Sequence, residues 1–107
     1  MNIDDQYEVL ITESCRIEIK KIYEYIKNNL YAENSAKKLM NKIEKTVMNL
    51  TYAPRIYAEI GIYKNTKRSY RRIVVDNFIV LYIIDEDDKK IYISHMYYGG
   101  SDYINKY

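Results

Sequence analysis

Five basic side chains, Lys64, Lys67, Arg68, Arg71 and Arg72, fall in one short stretch, and no acid lies between Ile60 and Val75. The chain as a whole has a formal net charge of only +2, so this window carries +5 and the remainder −3. Charge concentrated in this way suits phosphates or an acidic partner. It also suits a strand edge kept charged against aggregation. His95 is the one other side chain that stands out for chemistry. It is the single histidine, and histidine is the side chain whose ordinary pKa lies near neutrality. A structural place on a strand is the competing reading.

The elements that carry these groups belong to one domain of residues 1–107, long enough for a modest core. Hydrophobic residues make up 48% and charged residues 30%, a balance that excludes disorder. No run approaches the roughly 18 apolar residues of a membrane span. The start, Met1-Asn2-Ile3-Asp4-Asp5, has no apolar segment of a secretory signal. Cys15 is the single cysteine. No internal disulfide can form, which fits a reducing cytoplasm. One cysteine and one histidine cannot build a Cys/His zinc site, and no metal or cofactor is expected. The 14 tyrosines would suit base stacking. AT-rich codon usage, which also favours Ile, Lys and Asn, explains them better as a set.

Tyr7 to Thr12 reads as a first strand, with Thr12 placed to cap the helix that follows. Cys15, Ile19, Ile22, Tyr23, Ile26 and Leu30 then recur at helical spacing. Asn34 or Ser35 can cap a second helix whose apolar stripe is Ala36, Leu39, Met40, Ile43, Val47 and Leu50. The short connection implies an antiparallel helical hairpin. Pro54 ends it. Residues 53–66 have no clear period and read as a loop, with an optional short strand at Ile60-Gly61-Ile62. Strands follow at about 69–75, 78–84 and 90–98. Asp76-Asn77 is a turn signal, and Asp85-Glu86-Asp87-Asp88 is a solvated turn. The expected fold is α+β, in the order βααβββ, with the helices on one face of a mostly antiparallel four-stranded sheet.

Alternation assigns Phe78, Val80, Tyr82 and Ile84 to one sheet face, and Ile79, Leu81 and Ile83 to the other. Both faces are apolar, as in a strand buried on two sides. Two helices cover one of them. Residues 99–107 or another protein must cover the second, and Ile79, Leu81 and Ile83 would form the partner surface. On the last strand, Ile91, Ile93, His95 and Tyr97 would share a face.

The ordered set resembles the RelE/ParE superfamily of type II toxin–antitoxin toxins along nearly the whole chain. The similar features are the strand ending in Thr12, Glu24-Tyr25-Ile26, Ala36 with Leu39, and Leu50 followed by Pro54. The hairpin from Arg71 to Tyr82 resembles the family's Arg-rich strand and apolar partner. The segment from Ile91 to Tyr103 is similar to its last strand and Tyr-Gly-X-X-Asp-aromatic tail. The resemblance implies a cytoplasmic protein that halts growth, forms a hetero-oligomer with a cognate antitoxin, and needs no cofactor. RelE-like members cut mRNA in the ribosomal A site without a metal. ParE-like members inhibit DNA gyrase.

Metal-free RNA cleavage needs a base for the ribose 2′-OH, an acid for the leaving oxygen, and cations for the phosphorane charge. In that reading Lys67, Arg68, Arg71 and Arg72 hold phosphate, His95 is the acid or base, and Tyr98 or Glu59 assists. Two departures oppose it. Nucleases of this family carry Arg where this chain has Ile79, and commonly another where it has Gly99-Gly100-Ser101. Each lost contact costs on the order of 10² in rate. ParE-like members tolerate an apolar residue at the Ile79 position. The favoured expectation is therefore a toxin that binds its target, gyrase. A ribosome-dependent endonuclease is the alternative, and an RNA-binding module without catalysis is a third reading. The antitoxin is expected to fold on binding, along the helical hairpin or the second sheet face, with acids near Arg71 and Arg72.

Overall fold

The computed structural model describes residues 6–29, 33–62 and 69–98. Strand β1 (Glu8–Ile11) leads into helix α1 (Glu13–Asn29), then helix α2 (Glu33–Met48) and a 3-10 turn at Asn49–Thr51. Four strands follow: β2 (Glu59–Ile62), β3 (Ser69–Val75), β4 (Phe78–Asp85) and β5 (Lys90–Tyr98). They form one five-stranded sheet in the order β1-β5-β4-β3-β2. β1 lies parallel to β5, and the other pairings are antiparallel. The expected strands are all present. The optional strand at 60–62 joins them as the sheet edge, with an irregularity between Glu59 and Gly61 where the ladder shifts. Among the described residues no helix is long and apolar enough to cross a membrane.

Thr12 makes the join between strand and helix. Its N–H donates to the Ile93 carbonyl at 3.1 Å, which continues the parallel ladder. Its Oγ1 accepts the Cys15 N–H at 3.2 Å, three residues into α1. That is the geometry of a threonine cap. α2 starts one turn-position earlier than expected: Asn34 and Ser35 stand inside its first turn, behind Glu33. Lys42 Nζ then donates to Asp76 Oδ1 at 2.8 Å and fastens α2 to the β3–β4 hairpin. Asp76 takes a φ of 52°, a conformation that Asp tolerates in tight turns.

The helical hairpin buries Cys15, Ala36, Leu39, Ile43 and Val47 against Ile73, Val80, Tyr82, Ile93 and Met96 of the sheet. One expectation fails here. Across β4 and β5, Leu81 pairs with His95 but Tyr82 pairs with Ile93, so Ser94 has no opposite residue. An extra residue on one strand reverses the alternation beyond it. Ile91, Ile93 and Met96 consequently face the helices, and Tyr97 belongs to the cluster on the opposite face. Ile91 and Ile93 do not share a face with His95 and Tyr97.

Tyr82 is fully buried, and its hydroxyl donates to the Pro54 carbonyl at 2.7 Å, holding the loop after α2. Burial pushes its phenol up to about 12. Burial, reinforced by the negative charge of Glu18, pushes the Cys15 thiol up to about 12 as well. Both groups hold their protons more tightly when folded than at their ordinary values of 10.0 and 9.0. The folded state therefore binds more protons in that range, and stability falls as pH rises. Denaturant titrations should show a constant midpoint up to about pH 9 and a loss between about 9 and 12. Replacing Cys15 and Tyr82 by Ala and Phe should flatten that loss. Thr12→Ala should cost about 1 kcal/mol at neutral pH in the same measurement.

Candidate functional site

Burial along β3 alternates, with Tyr70 in the cluster on the far face and Ile73 and Val75 in the helix-side core. Arg72 and Val74 therefore share the far face with Tyr70, and Arg71 turns toward the helices. β4 adds Ile79, Leu81 and Ile83 to the far face, and β5 adds His95 and Tyr97 beyond the Ser94 bulge. The registers place Arg72, Leu81 and His95 in one row across three strands. This face is the candidate site.

Its floor is packed. Tyr70, Leu81, Ile83 and Tyr97 are buried within the chain, with Ile60 and Ile79 packed against them. Of the three residues expected to meet a partner, Leu81 and Ile83 are buried and Ile79 is half-buried. Ile79 lies between its register partners Val74, which is 61% exposed, and Tyr97. Residues 99–107, one of the two expected covers, lie outside the described residues.

His95 stacks on Tyr97 with ring centres 5.6 Å apart and planes 11° from parallel. Tyr70 lies against it at 5.9 Å, tilted by 59°. The Nδ1 atom is buried and has no hydrogen-bond partner among the described residues. Glu18 Oε1 faces it at 3.5 Å. The same oxygen accepts the Met96 N–H at 3.2 Å. β1 pairs with β5 only as far as Ile93, so beyond that point a carboxylate from α1 takes the place of a strand. Sequence reasoning missed Glu18. Its role depends on where β1 stops and β5 bulges.

The basic window divides. Arg71 Nη1 donates to the Tyr57 carbonyl at 2.6 Å, and Nη2 to Glu59 Oε1 at 3.3 Å. Its side chain is only 16% exposed. Arg72 is exposed. The two consecutive arginines, read as one phosphate site, thus serve opposite faces, because neighbours on a strand point apart. Glu59, the other proposed assistant, is engaged by Arg71. Lys64, Lys67, Arg68 and the side chain of Tyr98 lie outside the described residues. Among the described residues no group of three His, Cys, Asp or Glu side chains is arranged to hold a metal ion. Arg71→Ala should lower stability by roughly 1.5–3 kcal/mol, the worth of hydrogen bonds from a charged group.

Several solved structures share the fold. A chromosomal ParDE toxin–antitoxin system from P. aeruginosa superposes with a TM-score of 0.68 at 16% identity, covering 89% of this chain and 98% of that one. The RelBE2 toxin–antitoxin complex from Mycobacterium tuberculosis gives 0.59 at 14% identity, covering 87% and 98%. An archaeal RelE–RelB complex from Pyrococcus horikoshii OT3 gives 0.54 at 16% identity, covering 89% and 97%. At these identities the likeness is one of fold. No curated protein matches the sequence. The family model described as the ParE toxin of the type II toxin–antitoxin system parDE matches residues 9–103. That match spans most of the sequence, and the chain belongs to the ParE toxin family of type II toxin–antitoxin systems.

Proposed function

We propose that this chain is a growth-inhibiting toxin that acts in the cytoplasm by binding DNA gyrase, and that a cognate antitoxin neutralises it. The observation that carries this reading is Ile79. It is a half-buried apolar side chain on the far face, at the position where a nuclease of the superfamily carries Arg. Arg71, one of the two arginines expected to hold phosphate, is turned inward onto Tyr57 and Glu59. A cleavage site weakened in its phosphate cations loses on the order of 10² in rate per contact. A binding face tolerates the same change. The endonuclease reading draws its support from the row Arg72-Leu81-His95, which sets a cation and an imidazole on one face.

The antitoxin has a better seat at the helices than at the far face, whose apolar centre is already buried. A cavity of about 290 Å³ lies between the helical hairpin and the sheet, lined by Val9, Ile11, Ile19, Met40, Val47 and Met48 among others. A neighbouring hollow shares Ile11, Ile19 and Met40 and adds Arg16 and Lys20. Apolar lining with a basic rim suits an acidic amphipathic segment that orders on binding. The structures with the same fold from P. aeruginosa and Mycobacterium tuberculosis are a toxin–antitoxin system and complex.

Relaxed plasmid incubated with purified gyrase, ATP and the toxin tests the target. Supercoiling should be blocked at micromolar toxin, and Arg72→Ala should weaken the block. Undiminished supercoiling would count against gyrase.

A further inference from the structure

We propose that Glu18 is a positioning residue for His95: its carboxylate keeps the imidazole proton on Nδ1 and leaves Nε2 as a hydrogen-bond acceptor on the face that carries Arg72. Two contacts to one oxygen support this. Glu18 Oε1 accepts the Met96 N–H at 3.2 Å and faces His95 Nδ1 at 3.5 Å. A carboxylate oxygen has two lone pairs, and an ionised carboxylate only accepts. A proton on Nδ1 is attracted to that oxygen, whereas a lone pair on Nδ1 is repelled by it. Nδ1 is also buried without a hydrogen-bond partner among the described residues. The 3.5 Å separation is longer than a good hydrogen bond. The contact is an electrostatic bias that selects between tautomers.

The ring is fixed as well as protonated in one way. It lies parallel to Tyr97 and against Tyr70, so rotation about its bond to the backbone would break both contacts. Which nitrogen of a histidine is free is set by the partner of the other. The consequence is a face with paired chemistry. Arg72 places a cation on β3, and His95 stands two strands away, with Leu81 between them. A target would meet it with a carboxylate or phosphate toward Arg72 and an N–H or O–H toward His95. This part of the inference rests on the reading that the target meets this face.

The test is the nitrogen-15 spectrum of the imidazole in the full chain, recorded at a pH where the ring is neutral. The expected spectrum shows the proton on Nδ1, although free histidine favours Nε2. Glu18→Ala should move the proton to Nε2 wholly or in part. Glu18→Gln keeps an acceptor oxygen and should restore the parental tautomer. A proton on Nε2 in the parent, or an unchanged tautomer in Glu18→Ala, would overturn the proposal. If Glu18→Ala does not fold, the parent spectrum decides it, since a proton on Nε2 there overturns the proposal. Growth inhibition separates the two parts: Glu18→Ala and His95→Ala should lose toxicity while Glu18→Gln keeps it. Full toxicity of His95→Ala beside an Nδ1–H parent would contradict the face as the target site and leave the tautomer assignment standing.

Discussion

One extra residue in β5 governs how this molecule is arranged. Ser94 has no partner on β4, and beyond it every side chain changes face. Met96 enters the core under the helices, while His95 and Tyr97 pass to the other side. Without the bulge, His95 would point into the apolar layer beneath α1. With it, the imidazole lies in a row with Arg72. The same segment runs past the end of β1, and its Met96 N–H would be left without a partner. Glu18 fills that vacancy from α1. The bulge, the end of β1 and the start of α1 are thus one structural unit, joined at Thr12.

The basic window reads differently once it is mounted on a strand. A strand divides consecutive residues between two faces, so a dense run of charge in sequence is not a dense patch in space. Arg71 becomes a structural residue that holds the carbonyl of Tyr57 and the edge strand through Glu59. Tyr82 holds the same loop from the sheet through Pro54. Arg72 lies on the far face. There it stands near Ile79 and Val74, in surroundings better suited to a protein surface than to a phosphate clamp.

The order of elements was legible in the sequence because the signals were local and agreed. The helical stripes, the Thr12 cap, the Asp76-Asn77 turn and the doubly apolar β4 each depend on neighbours within a few residues. The two faces of β4 were assigned correctly for the same reason. The β5 faces were not, since strict alternation holds only without a bulge, and Ser94 carries no local mark of one. β2 was readable only as an option, because four residues beside a loop have too little pattern to separate strand from turn. The splitting of Arg71 from Arg72 was missed, although the strand assignment implied it. Glu18 was out of reach, since it matters only through a partner 78 residues away.

A packed face with one described arginine beside an isoleucine is the ground for reading this toxin as a binder. The most direct measurement of that claim is a map of mRNA 5′ ends in cells as the toxin is induced and growth stops. Growth arrest with no new ends at ribosomal A sites is the predicted result. New A-site ends that disappear in His95→Ala or Arg72→Ala would contradict it and make the chain a nuclease.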